Sequence, residues 1–183
     1  DRGVYLRRFV PGRAWTSADL DDPENLGRLA RLLRRVHAVP PVGQPFDAHA
    51  AAQRYAAALG DERADVLASR VGAAVASLEP AATALCHNDL VAQNILQGET
   101  LQLIDWEFAG TGDRFFDLAV VVQHHGLADR RVDAFLQSYL DRPASESDYR
   151  RLQSQRDVYR ALLELWLLRV SATAAGRGQD STR

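Results

Sequence analysis

One stretch of this sequence, residues 83–110, breaks the helical texture around it and so limits the folds open to the chain. On both sides apolar residues recur at helical spacing. Within the stretch they come as short runs at 84–86, 94–96 and 101–104, punctuated by Gly98 and Gly110. Runs of that length bounded by glycine predict two or three short strands joined by functional loops. The fold class expected is therefore α+β, mainly helical, with a small strand-and-loop centre.

The helices on either side carry their own punctuation. Asp22-Pro23 supplies an N-cap and a first-turn proline, and Leu26, Leu29, Ala30, Leu33 and Val36 follow at helical spacing until Pro40-Pro41 stops them. Residues 48–59 and 62–78 predict two alanine-rich scaffold helices separated near Gly60-Asp61. Helical character returns at 116–124, at 131–140 and over 147–175, where Leu152, Val158, Leu162, Leu165 and Leu168 supply a buried face, while residues 176–183 look frayed. Residues 3–10, rich in β-branched and aromatic types, predict a strand ending at Pro11-Gly12. The chain has no methionine, and it begins inside the alternating Val4-Tyr5-Leu6, which suggests a fragment or excised domain.

Composition narrows the function classes. At 46% hydrophobic there is material for one sizeable core, and a net charge of -2 offers no basic excess for nucleic acid or an anionic membrane surface. The longest apolar run falls well short of the roughly 18 residues a membrane span needs. A single cysteine, Cys86, precludes an internal disulfide and fits a reducing cytoplasm.

The chemistry is concentrated in Cys86-His87-Asn88-Asp89-Leu90-Val91-Ala92-Gln93-Asn94-Ile95-Leu96, followed by Leu103-Ile104-Asp105-Trp106-Glu107. In phosphoryl transfer by kinases, an Asp accepts the substrate hydroxyl proton and an Asn five residues later holds magnesium. A further Asp at the end of the next strand bridges metal and phosphates. Asp89, Asn94 and Asp105 occupy those places, as base and as two magnesium ligands. The physical need is for hard oxygen donors that hold the neutralising cation, beside an acceptor that aims the nucleophile.

His87-Asn88-Asp89-Leu90 with Asn94-Ile95-Leu96, then Leu103-Ile104-Asp105-Trp106-Glu107-Phe108-Ala109-Gly110 and Phe116-Asp117-Leu118-Ala119, resembles the choline/ethanolamine kinase and aminoglycoside phosphotransferase superfamily, and within it bacterial choline kinase-like or thiamine kinase-like members. The resemblance implies a protein-kinase-like fold in which residues 1–15 are the last N-lobe strand and hinge and residues 16–183 the helical C-lobe, with the rest of the N-lobe missing. It implies ATP and Mg2+ as cofactors and a small hydroxyl-bearing acceptor. By the same resemblance Leu96 and Ile104 floor the adenine, and the backbone of Arg8, Phe9 and Val10 meets its polar edge. His87 and Asp117 brace the catalytic loop, and Glu107 is placed to approach a metal or a cationic substrate. Trp166 resembles the C-terminal aromatic of choline kinases, where a ring face holds an ammonium by cation-π attraction, with Tyr159 on about the same helical face.

Protein-substrate kinases are disfavoured, since Val91 and Glu107 stand where their lysine and glycine would be, and little room lies between Asp105 and Asp117 for an activation loop. All 22 basic residues are arginine. The phosphate-gripping lysine of this machinery is thus absent, so the chain alone is expected to hold ATP weakly and to need the missing N-lobe. The alternatives are an aminoglycoside phosphotransferase, a non-catalytic nucleotide-binding module, and a metal-dependent hydrolase built on His87, Asp89, His124 and His125. The arginines of the late helices argue against the first, and the absence of helical His pairs at ligand spacing argues against the last.

Overall fold

A computed structural model describes residues 9–41 and 43–179. The order is β1 (Arg13–Ala14), α1 (Pro23–His37), α2 (Ala48–Leu59), α3 (Glu62–Ala76), β2 (Thr83–Cys86), β3 (Ile95–Gln97), β4 (Leu101–Leu103), β5 (Gly110–Asp113), α4 (Arg114–His124), α5 (Asp129–Leu140) and α6 (Glu146–Gln179). The expected α+β, mainly helical architecture is the one observed.

Every helix but α5, which follows Ala128, begins where a side chain can cap it. Asp22 accepts from the Glu24 amide at 2.9 Å with Pro23 in the first turn, Asp47 from Ala50 at 2.9 Å, and Asp61 from Ala64 at 2.8 Å. Gly60 closes α2 in the left-handed region at φ 67, where a side chain would be strained. Ser145 and Asp148 start α6 with a reciprocal capping box, which the Arg142 guanidinium reinforces from 2.7 Å and which holds the Asp148 carboxyl well below the usual range.

α6 packs against α2, α3 and α4, while α1 packs against α5. Leu26, Leu29, Leu33, Leu118, Phe135, Leu136 and Leu165 fill the core between these helices. Each such leucine contributes about 1.5–3 kcal/mol by leaving water. Two small antiparallel sheets lie on this base. β3 is central to the first, flanked by β1 (Ala14 opposite Leu96) and β4 (Ile95 opposite Leu103). β2 and β5 form the second, from Thr83 opposite Asp113 to Cys86 opposite Gly110.

Three local expectations shift. The first described strand lies after Pro11-Gly12, at residues 13–14; residues 9 and 10 are not strand, and the remainder of the expected 3–10 strand lies outside the described residues. β5 forms from Gly110-Thr111-Gly112-Asp113, a sequence of low strand propensity, because β2 otherwise has no partner. The last helix continues to Gln179, past the expected fraying point at 176.

Candidate active site

The loop between β2 and β3 is held by one buried carboxylate. Asp117, in the first turn of α4, is fully buried and accepts the backbone amides of His87 (2.8 Å) and Asn88 (2.7 Å). It also accepts from His37 Nε2 at 3.0 Å, while the Tyr139 hydroxyl lies 2.7 Å from His37 Nδ1. Three N–H donors offset the cost of burying this charge, as a paired interior carboxylate requires. The chain turns at Asn88 with φ 65, a conformation asparagine tolerates better than most residues. His87, also fully buried, donates from Nε2 to the Ile104 carbonyl at 2.8 Å and accepts the Asp89 amide on Nδ1 at 3.3 Å. Its ring rests against Trp106 with centroids 4.7 Å apart. Both residues expected to brace the loop thus make bracing contacts, and neither faces the cleft described below.

Asp89 and Asn94 are in direct contact. The Asn94 amide nitrogen donates to the Asp89 carbonyl and to Asp89 Oδ2, both at 2.9 Å, which leaves the Asn94 side-chain oxygen without a hydrogen bond among the described residues. Asn94 is itself buried. The Ile104 amide donates to the Asn94 carbonyl at 3.0 Å, so Asp105 follows directly on a residue tied to Asn94. Asp105 is exposed, sits at φ 62, and its carboxylate accepts no hydrogen bond among the described residues. A non-glycine residue in that region is a strained element of the kind that collects at functional sites.

Beside Asp89 opens an apolar cleft of about 200 Å³, walled by Phe46, Tyr55, Phe108, Phe116, Tyr159 and Trp166. Trp166 and Tyr159, assigned to substrate from the sequence, are brought together here, Trp166 partly exposed and Tyr159 buried. The Tyr159 hydroxyl is 2.7 Å from His124 Nδ1, and burial, with the Asp89 charge adding to it, pushes that hydroxyl well above its usual range. Asp89 is the one carboxylate on the wall among the described residues. Asn88 also lines the cleft, its side-chain oxygen buried without a hydrogen bond among the described residues.

The remaining expected residues are scattered around this centre. Leu96 is buried on β3 yet outside the main core, beside Gly12. Ile104 is half-buried, Phe9 exposed, Val10 half-buried, and Arg8 lies outside the described residues. Glu107 is exposed and does not line the cleft. The four residues of the hydrolase alternative do not converge: His87 bonds Ile104, His124 bonds Tyr159, and His125 Nε2 bonds the Leu90 carbonyl at 3.2 Å. His37, Cys86 and Asp117 do offer ligand atoms within 4.8 Å of one another. Asp117 and His37 are already spent on the loop, however, and burial pushes the Cys86 thiol far above its usual range.

His37, Phe46 and Tyr55 were not singled out from the sequence. His37 is the last residue of a scaffold helix, and Phe46 lies in a proline- and glycine-rich link; nothing local to either marks it for a site.

The profile of the phosphotransferase enzyme family matches residues 1–154. The chain belongs to that family. Its fold is similar to a choline/ethanolamine kinase family protein from Mesorhizobium loti, with a TM-score of 0.78 at 20% identity over 92% of this chain and 61% of that one. It is also similar to choline kinase LicA from Streptococcus pneumoniae, with a TM-score of 0.74 at 18% identity over 88% of this chain and 60% of that one. In sequence it is 33% identical over 88 residues to protein LicA of Haemophilus influenzae, covering 44% of this chain and 33% of that protein. The chain thus spans about three-fifths of these phosphotransferase-fold structures and a third of that relative. No helix among the described residues is long and apolar enough to cross a membrane.

Proposed function

We propose that this chain carries the base, the magnesium ligands and the acceptor cleft of a kinase that moves the γ-phosphate of ATP to a hydroxyl of a small amine-bearing molecule of the choline, ethanolamine or thiamine type. The observation that carries the reading is the placement of Asp89, held by Asn94, at the edge of a cleft walled by six aromatic rings.

The acceptor lies among the rings with its hydroxyl toward Asp89. Asp89 takes the hydroxyl proton as the oxygen bonds the γ-phosphorus, and the bond from that phosphorus to the bridging oxygen of ADP breaks. Asn94 fixes the carboxylate so that its free oxygen is aimed, and the buried Asp117 network keeps the loop from relaxing. The unengaged oxygen of Asn94 and the carboxylate of Asp105 are hard donors of the kind magnesium takes, so these residues fit the ion the family implies. When bound, magnesium neutralises charge on the transferring phosphoryl group. Leu96 and Ile104 form the floor for the adenine, and the backbone near Phe9 and Val10 meets its edge. Glu107 lies on the exposed turn after Asp105, outside the cleft, and is assigned to the metal rather than to the acceptor. The rings of Trp166 and Tyr159 hold the acceptor cation, and a wall with a single carboxylate suits one ammonium better than the several of an aminoglycoside. With no lysine to grip the phosphates, closure of the nucleotide site needs an N-lobe that residues 1–183 do not supply.

Two measurements test this. Calorimetry should detect weak magnesium-dependent ATP binding by the chain, lost in Asp105→Ala. With a lysine-bearing N-lobe joined upstream, ATP consumption should respond to one of choline, ethanolamine, thiamine or an aminoglycoside and fall about 10²–10⁴-fold in Asp89→Asn. Absence of any magnesium-dependent nucleotide binding would defeat the kinase reading. Nucleotide binding without turnover on any acceptor would favour the non-catalytic module.

A further inference from the structure

The Phe46 wall of the cleft is built in an unusual way. Residues 43–46 do not belong to a helix or a strand; they run alongside β5, joined to it by a single parallel bridge. The Phe46 amide donates to the Thr111 carbonyl at 2.8 Å, the Thr111 amide donates to the Gln44 carbonyl at 3.0 Å, and Pro45 bridges Thr111. One residue permits this approach. A Cβ built on Gly110 would lie 2.6 Å from the Gln44 carbonyl oxygen, closer than real Cβ contacts come. That oxygen is backbone and already accepts the Thr111 amide, so no flexible side chain can yield. At the neighbouring Gly112 a Cβ would meet only ordinary contacts, the nearest at 3.7 Å.

The far end of the segment is pinned as well. Asp47, next in sequence, caps α2 through the Ala50 amide. Between these anchors the Phe46 ring is delivered into the cleft, half-buried, with its centroid 5.0 Å from that of Phe116. β5 also continues from the turn that carries Phe108, whose carbonyl accepts from Asn88 at 2.9 Å. Two rings of the wall therefore hang on the backbone around one glycine.

We propose that residues 43–46 form a strap clamped to β5 at Gly110, and that the Phe46 ring it positions sets the size of acceptor the cleft admits. Gly110 is a positioning residue, acting through the strap, and Phe46 is the specificity-determining one. The size filter rests on the cleft being the acceptor site; the clamp does not. A methyl group at Gly110 must push the Gln44 carbonyl away, and the strap moves with it, drawing Phe46 out of the cleft. The cleft then loses its grip on a small cation and accepts a larger one.

Amide hydrogen exchange and calorimetry on the wild-type chain, Gly110→Ala and Phe46→Ala separate these statements, with choline and benzyl(2-hydroxyethyl)dimethylammonium as small and large probes. In Gly110→Ala the Phe46 and Thr111 amides should exchange at least about tenfold faster while the core helix amides keep their protection. The affinity ratio of small to large probe should fall about tenfold in both variants. Phe46→Ala, which keeps the backbone bridge, should do so with Thr111 exchange unchanged. Unaltered exchange in Gly110→Ala would overturn the clamp. Faster exchange with an unaltered probe ratio, or an unaltered ratio in Phe46→Ala, would overturn the size filter. A wild-type chain that binds neither probe would defeat the acceptor-site reading and the size filter with it, while the exchange data would still decide the clamp.

Discussion

The loop between β2 and β3 and the apolar cleft beside it share Asp89 but are held together by different forces. In the loop, polar groups are satisfied one by one, the buried Asn88 side-chain oxygen excepted among the described residues: Asp117 by two amides and His37, His87 by Ile104 and Asp89, and the half-buried Asp89 by Asn94. In the cleft, rings from α2, the 43–46 strap, the Trp106–Phe108 turn, α4 and α6 meet by van der Waals contact around a space left open. A polar network of the first kind has one good arrangement and fails as a unit. A wall of the second kind can lose or change a ring and still stand, so substitutions there should alter which molecule fits and leave the fold intact.

The sharpest contrast is between Asp117 and Trp166. Asp117→Ala strips the partner from two buried amides and from His37, a loss of the class that costs about 3–5 kcal/mol. Urea unfolding should show a midpoint collapse of that size, and Asp117→Asn, which keeps one acceptor oxygen, should fall between it and the wild type. Trp166 is 43% exposed, and its truncation to Ala should cost under about 1 kcal/mol of stability. The same Trp166→Ala change should nevertheless weaken choline binding by calorimetry several-fold, in line with about 0.5–2 kcal/mol for a cation-π contact. Equal stability losses at the two positions would erase the distinction between the regions.

That distinction also explains what could be read from sequence. Asp89, Asn94 and Asp105 could be singled out because the kinase template sets such groups at fixed spacing, and α1 was legible because Asp22-Pro23 and Pro40-Pro41 mark its ends. Trp166 and Tyr159 were reachable only through family resemblance and helical spacing. Phe46, Tyr55 and His37 were not legible, because each earns its place through partners far along the chain: Phe46 through Thr111, His37 through Asp117 and Tyr139. β5 escaped for a related reason. Its glycines lower strand propensity, yet one of them, Gly110, is what lets the 43–46 segment lie against it.

The smallest effect expected lies at the seam between the two regions. His125 follows the cleft residue His124 and ties the end of α4 to the loop between β2 and β3 through the Leu90 carbonyl, with its Nδ1 buried and unbonded among the described residues. Burial lowers its pKa below the ordinary imidazole value; the Leu90 carbonyl opposes the shift, and His124, with ring centroids 4.9 Å away, adds to it. Since the folded pKa lies below the unfolded one, near 6.5, the unfolded chain binds the proton more readily between the two values. Stability from this group is therefore complete above about pH 6.5 and declines as pH falls through the unfolded pKa toward the folded one. Urea midpoints measured from pH 7.5 down to 5.5 should decline more in the wild type than in His125→Gln, whose side-chain amide can still donate to Leu90 but does not titrate. The difference between the two slopes, rather than either slope alone, isolates His125, because the acid-sensitive carboxylates are common to both proteins. Parallel slopes would mean that the seam is hydrated enough to accept the charge, and the line between a rigid loop and an adaptable cleft would then run on the loop side of His125.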